Sequence, residues 1–354
     1  MPAFKFLLPT MAQLTRSQRE AVLKNEPVLV TGVPGSGKTV VSIHRLLINS
    51  NAELFTYTRM LKTSIAHSTM ATNVTASRRI NSVHAWYWAK THSSLMDALD
   101  NDNVLGPLTS NHVRIGELII DEAQDLPKRF YMAISNICDK VSLGADDAQQ
   151  MYDVDTCEYD LRCIFSINVP IELGQNFRNK YEIFNFARQF MPDNPRSNDQ
   201  NVLERLRMEN SGGELPFVYE NSNDSSRRNF INTILDNNRN KNIALLVYNQ
   251  STVDRYYELV KSLGYECSKY HSGLTNDEKL NVENSLKNIL ITTFHSSKGL
   301  EFDIVIMPEF ETASLDKSKF YYVGSTRAKD NLFIICAKRP GILNSFNNLT
   351  YNIG

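Results

Sequence analysis

Short apolar runs, often β-branched, alternate along the chain with stretches whose apolar positions recur three and four residues apart. The short runs predict strands over 27–31, 53–56, 117–121, 140–143, 243–248, 289–293, 303–307 and 331–336. Helical spacing is clear in Val40-Val41-Ser42-Ile43-His44-Arg45-Leu46-Leu47 and in Phe230, Ile231, Ile234 and Leu235. Strands alternating with helices predict an α/β chain with mostly parallel sheets. The strands fall into two sets with Pro170 near the break, which predicts one domain over 1–170 and a second over 171–354. The stretch from Met191 to Pro216, rich in Asn, Pro, Asp and Arg, reads as helix ends and loop.

A chain of 354 residues is long enough for two such domains, each with its own core. Its formal net charge of −1 provides no global basic field, so a nucleic-acid partner would need a local groove. Five scattered cysteines without C-x-x-C pairs argue against a disulfide framework or a zinc site and predict a reducing, cytoplasmic setting. No apolar run approaches a membrane span, which predicts no membrane partner. The opening run, Met1 to Pro9, meets proline too early for a secretory signal.

The candidate chemistry begins at Gly32-Val33-Pro34-Gly35-Ser36-Gly37-Lys38-Thr39, a complete G-x-x-x-x-G-K-T loop between a predicted strand and a predicted helix. In that context Gly32, Gly35, Ser36 and Gly37 would turn backbone N–H groups onto phosphates, at a helix N-terminus that favours negative charge. Lys38 would reach the β- and γ-phosphates, and the Thr39 hydroxyl would bind Mg²⁺. The strand at 117–121 ends in Asp121-Glu122, the carboxylate pair a triphosphatase needs opposite its phosphate loop. Asp121 would hold the Mg²⁺ shell and Glu122 would polarise the attacking water. ATP and Mg²⁺ are therefore the expected cofactors. Trp86 and Trp88 are two apart and cannot share a helix face, so at least one belongs to the core.

Taken in order, the motifs resemble those of superfamily-1 helicases of the UvrD/Rep/PcrA type, from about residue 13 to 336. Leu14-Thr15-Arg16-Ser17-Gln18 resembles the adenine-reading Q motif, and Asp121-Glu122-Ala123-Gln124-Asp125 the DExQD box. Gly144 to Tyr152 resembles the GDxxQ segment, and Gln175-Asn176-Phe177-Arg178 resembles QNYR. Thr293 to Phe302 is close to TxHSxKGLEF, and Tyr322 to Ala328 is close to YVGxTRA. The resemblance implies two tandem RecA-like (P-loop NTPase) domains with an ATP site at their interface. It implies that Gln18 reads adenine, that Arg45 and Phe177 sandwich it, and that Glu301 accepts from the ribose. Gln149 becomes a γ-phosphate or water sensor, and Arg178 and Arg327 become arginine fingers. Tyr57 and Thr58 in Thr56-Tyr57-Thr58, His84 in Ser82-Val83-His84, and His295 and Lys298 become contacts to single-stranded DNA.

Departures from the family concern the nucleic-acid end. Only 32 positions separate His84 from Glu117, where the family carries a large helical insertion, and a second large insertion is missing between Tyr248 and Ile289. The family's Gly-Trp-Arg run after Gln-x-x-Tyr is replaced by Asp153-Val154-Asp155, which removes a stacking Trp and adds negative charge where backbone phosphate would pass. Two functions follow: an ATP-dependent DNA helicase or single-stranded DNA translocase moving 3′→5′, or an ATP-switched subunit whose motion is received by a protein partner such as a nuclease.

Overall fold

The computed structural model describes residues 8–70 and 72–354; most of the opening run read above, residues 1–7, lies outside them. The chain divides into two compact units, one ending at Gln175 and the other running from Asn176 to Gly354.

The first unit is built on β1 (Val28–Gly32), β2 (Ala52–Thr56), β3 (Ile80–Ser82), β4 (Ile115–Ile120), β5 (Cys138–Ala145) and β6 (Ile171–Leu173). Their order is β3-β2-β4-β5-β1-β6, and every pairing is parallel. Helices bury both faces of a parallel sheet, so its inner strands read as unbroken apolar runs. That is why β1, β2, β4 and β5 were visible in the sequence. β3 and β6 have three residues each, too few to show a pattern. β6 follows Pro170 yet pairs with β1, Val30 opposite Ile171, so the boundary falls after Gln175 and not at 170.

Parallel pairing brings all strand ends of one kind to one edge. Gly32, Asp121 and Asp146 end or follow the neighbouring strands β1, β4 and β5, while Tyr57 and His84 follow β2 and β3. Between β3 and β4 lie three short helices, Val83–Thr91, Leu95–Asp100 and Leu105–Ser110, which place Trp86, Leu95, Leu99 and Leu108 in the core. Trp86 packs on Phe55 with ring centroids 4.7 Å apart, whereas Trp88 is 57% exposed.

The second unit holds β7 (Phe217–Glu220), β8 (Ile243–Val247), β9 (Ser268–Tyr270), β10 (Ile289–Thr293), β11 (Phe302–Met307), β12 (Ala328–Cys336) and β13 (Asn352–Ile353). They form a second parallel sheet in the order β13-β7-β12-β11-β8-β10-β9. The helix Asp224–Asn237 covers it with Ile231, Ile234 and Leu235, as its spacing predicted. The stretch read as helix ends and loop contains a three-turn helix, Gln200–Asn210, whose buried residues are Val202, Leu203 and Leu206; one apolar turn amid polar residues hides it. Phe302 of β11 faces Ala328 of β12, which sets Glu301 and Arg327 side by side at the amino ends of adjacent strands. Between β8 and β10 lie only the helix Gln250–Ser262, β9 and the helix Asn276–Ser285. Among the described residues no helix is long and apolar enough to cross a membrane, and all five cysteines are free.

Candidate nucleotide site

The loop after β1 leads directly into the helix Lys38–Ile48 through Gly37, whose φ of 92° only glycine adopts without strain. A Cβ at Gly37 would also collide with Gln18 Nε2. Gln18 is buried and holds this loop from behind: its Oε1 accepts from Thr15 N–H at 2.9 Å and its Nε2 donates to Ser36 O at 3.0 Å. Lys38 Nζ donates to Gly32 O at 2.7 Å and to Val33 O at 3.2 Å, and stands 3.8 Å from Asp146 Oδ2.

Opposite the loop, the Thr39 hydroxyl donates to Asp121 Oδ2 at 2.6 Å. A Cβ on Gly144 would stand 3.1 Å from Asp121 Oδ1 and 3.6 Å from Lys38 Cβ, so glycine keeps the floor between them clear. Glu122 adopts a left-handed backbone, φ 60° and ψ 48°, in which a residue with a side chain is strained. The strain turns its carboxylate onto Gln124 Nε2, which donates at 2.7 Å. Gln124 Oε1 in turn accepts from Asp146 N–H at 3.1 Å, and Asp146 Oδ2 accepts from Gln149 Nε2 at 2.7 Å. Glu122, Gln124, Asp146, Gln149 and Lys38 thus form one continuous polar network at the carboxyl ends of β4, β5 and β1, the edge where α/β sheets bind ligands. Gln124 and Asp146 were missed as site residues; their places beside Glu122 and before Gln149 in the two motifs were the available signal.

Among the described residues no cluster of three His, Cys, Asp or Glu side chains can hold a metal alone. Mg²⁺ needs none, because it takes one or two protein oxygens together with substrate phosphates and water. The hydroxyl of Thr39 beside the carboxylate of Asp121 is such a donor pair.

Arg45 is corrected by the structure. It lies two helical turns beyond Lys38 and is 2% exposed. Its Nε donates to Glu117 Oε1 at 2.7 Å and its NH1 to the carbonyls of Ala21, Val22 and Lys24. A guanidinium enclosed in this way ties the helix to β4 and has no face left for a base.

Along the same edge, Tyr57 packs on Tyr152 at 4.3 Å between centroids and meets His84 edge-on at 5.8 Å. Burial, followed by the Asp125 carboxylate, raises the Tyr57 hydroxyl pKa; burial, then Asp125, Tyr57 and Glu122, raises that of Tyr152. Burial lowers the His84 pKa. The Thr58 hydroxyl accepts from Leu61 N–H at 3.3 Å and so opens the helix Arg59–Met70. Of the two acids in place of the family's Gly-Trp-Arg run, Asp155 accepts from Lys128 N–H at 3.0 Å, and Asp153 is exposed.

In the second unit Arg178 places Nε and NH2 on a single oxygen, Glu301 Oε1, at 2.8 Å each, and NH1 donates to Thr326 O at 3.4 Å. Asn179 Nδ2 bridges Thr326 O and Ala328 O, the carbonyls on either side of Arg327. Asn176 Oδ1 accepts from the N–H groups of Arg178 and Asn179. The two arginines are therefore set in one hydrogen-bonded frame. Burial opposes the charge on Glu301, but Arg178, Lys329 and Arg327 outweigh it and hold the carboxyl below its ordinary range. Phe177 is 51% exposed, while Arg327 is buried. His295 is half-buried against Phe320 at 4.9 Å. Lys298 is 1% exposed, as is Arg327.

A family profile described as an AAA domain matches residues 18–154, and one described as a UvrD-like helicase C-terminal domain matches residues 269–339. Over 70 residues the chain is 41% identical to the RecBCD enzyme subunit RecB of Chlamydia pneumoniae, covering 18% of this chain and 7% of that protein. Over 83 residues it is 35% identical to the DNA helicase II of Rickettsia typhi, covering 19% of this chain and 13% of that protein. The matches therefore span only small fractions of these relatives. Among solved structures, S. cerevisiae Dbp5 bound to RNA and ADP BeF3 has a TM-score of 0.58 at 12% identity, over 96% of this chain and 89% of that one, a likeness of fold. The fold, two parallel α/β units with a P-loop in the first, is that of RecA-like helicase domains. Within that class, the chain fits the UvrD type of superfamily 1.

Proposed function

We propose that the chain is an ATP-hydrolysing motor that moves on single-stranded DNA in the 3′→5′ direction, as a translocase or helicase. The observation that carries the proposal is the network joining Lys38, Asp146, Gln149, Gln124 and Glu122, with Thr39 and Asp121 beside it. Lys38 and the loop N–H groups bind the phosphates, and Thr39 and Asp121 hold Mg²⁺, which neutralises developing charge. Glu122 takes the proton of the attacking water, and Gln149 orients that water. Arg178 and Arg327 stabilise the transferring phosphoryl group, where an arginine contributes ~10³–10⁵ in rate. Phe177, with its exposed ring, stacks on the adenine. Tyr57, His84 and His295 are the DNA contacts. Free, scattered cysteines favour the cytoplasm as its setting.

A second reading is favoured by the short connections Val83–Ser110 and Gln250–Ser285, and by the likeness to a RecBCD subunit. In it the chain hydrolyses ATP as a switched subunit and a protein partner supplies the grip on duplex DNA. ATPase rates with and without single-stranded DNA or RNA, paired with strand displacement, separate the two. Stimulation with displacement supports the first reading. Turnover indifferent to nucleic acid overturns it in favour of the second.

A further inference from the structure

Between β4 and the helix Lys128–Ile134 the chain makes a single 3-10 turn, Ala123–Asp125. So short a turn cannot satisfy its own carbonyls, and Gln124 and Asp125 are fully buried, so the donors must come from elsewhere in the protein. The Tyr131 hydroxyl donates to Ala123 O. The other donors lie on the loop after Gln149. Gln150 Nε2 donates one hydrogen to Gln124 O at 3.0 Å and the other to Thr156 O at 2.7 Å. Thr156 is buried, and its hydroxyl donates to Leu126 O at 2.6 Å.

Gln150 thereby grips the main chain of the residue whose side chain orients the Glu122 carboxylate. Gln124 Nε2 donates to Glu122 Oε2 at 2.7 Å, and Gln124 Oε1 accepts from Asp146 N–H at 3.1 Å. A shift of the Gln124 main chain would displace both of these bonds. The loop that carries Gln150 is closed on itself: Asp147 N–H donates to Glu158 Oε1 at 3.3 Å, and Glu158 N–H donates to Asp147 Oδ1 at 3.1 Å. A primary amide suits this place, because one nitrogen supplies hydrogens to two carbonyls and adds no charge.

We propose that Gln150 is a positioning residue for ATP hydrolysis: it fixes Gln124, and through Gln124 the Glu122 carboxylate that receives the proton of the attacking water. The inference rests on the ATPase reading above and adds to it a side chain that touches neither nucleotide nor water.

The test is Gln150→Glu in the full chain, which keeps the size of the side chain and replaces its two hydrogens by an acceptor. With ATP and Mg²⁺, kcat is expected to fall by ~10–10²-fold, while nucleotide affinity measured by equilibrium titration stays within about twofold. A second readout does not depend on turnover. Amide hydrogen exchange in the peptide carrying Asp146 should quicken, because the acceptor of its N–H, Gln124 Oε1, has moved. In a Glu122→Gln background, Gln150→Glu should cost nothing further, because the group it positions is already gone. If the glutamate variant does not fold, Gln150→Ala serves, since water then reaches the carbonyls at this half-buried position. Unchanged kcat, unchanged exchange at Asp146, or an undiminished loss in the Glu122→Gln background overturns the role of Gln150. Absence of turnover in the wild type overturns the ATPase reading instead, and exchange at Asp146 still decides whether Gln150 holds Gln124.

Discussion

Thr39 and Asp121 are 82 positions apart in the chain and meet at 2.6 Å, hydroxyl to carboxylate. They meet because β1 and β4 flank β5 in a parallel sheet, so both strands deliver their carboxyl ends to the same edge. The oxygens that suit Mg²⁺ are thus positioned by the sheet and not by a flexible loop.

Glu122 couples strain to chemistry. Replacing it with glycine relieves the left-handed backbone and is expected to raise stability by ~1 kcal/mol in thermal unfolding. The same change removes the carboxylate and abolishes ATP turnover. Glu122→Gln keeps the strain and lowers kcat by ~10²–10⁴. A glutamine variant with full activity would show that the water is activated elsewhere.

Asp146 is the joint between Lys38 and Gln149. Asp146→Asn keeps its size but weakens its hold on both. The expected result is a fall in kcat on the order of 10²-fold through misplacement, with nucleotide affinity little changed. Equal losses in affinity and turnover would instead assign Asp146 to ground-state binding.

Arg45→Met separates the structural role from the adenine role. It leaves Glu117 buried without its guanidinium and is expected to destabilise the first unit by ~3–5 kcal/mol in denaturant melts. Nucleotide affinity of the folded protein should be unchanged; a selective loss of affinity with normal stability would restore the base-stacking role.

Glu117 provides a pH test. Burial pushes its carboxyl up, but hydrogen bonds from Ser142, Asn49 and Arg45 and the charge of Arg45 outweigh burial and hold it below the ordinary 4.5. A depressed carboxyl stabilises the fold fully above its unfolded pKa and loses that contribution as pH falls through the folded value. Urea unfolding of the wild type and of Glu117→Gln should therefore differ by a constant amount near neutrality. The gap should shrink as pH drops below about 4.5. A gap independent of pH would mean that Glu117 is not ionised in the fold.

The glycine loop, the carboxylates after β4 and the alternation of strands and helices were legible because each is a local pattern. A buried parallel strand is a short apolar run, and a phosphate loop is eight consecutive residues. The strands β3, β6 and β13 left no trace, since two or three residues show no periodicity. Arg45 was misread for a related reason: a cation in a motif looks the same whether its partner is a ligand or the protein's own carboxylate and carbonyls.

By itself the sequence determined the fold class, the phosphate loop and the acid pair, because these depend on contiguous residues. Tertiary structure decided which side chains are spent on the scaffold and which remain at the site. It enclosed Arg45, turned Gln18 onto the loop, and made Asp146 the link between Lys38 and Gln149. Burial and hydrogen-bond partnership are set by residues distant in sequence, and only the packed sheet brings those residues together.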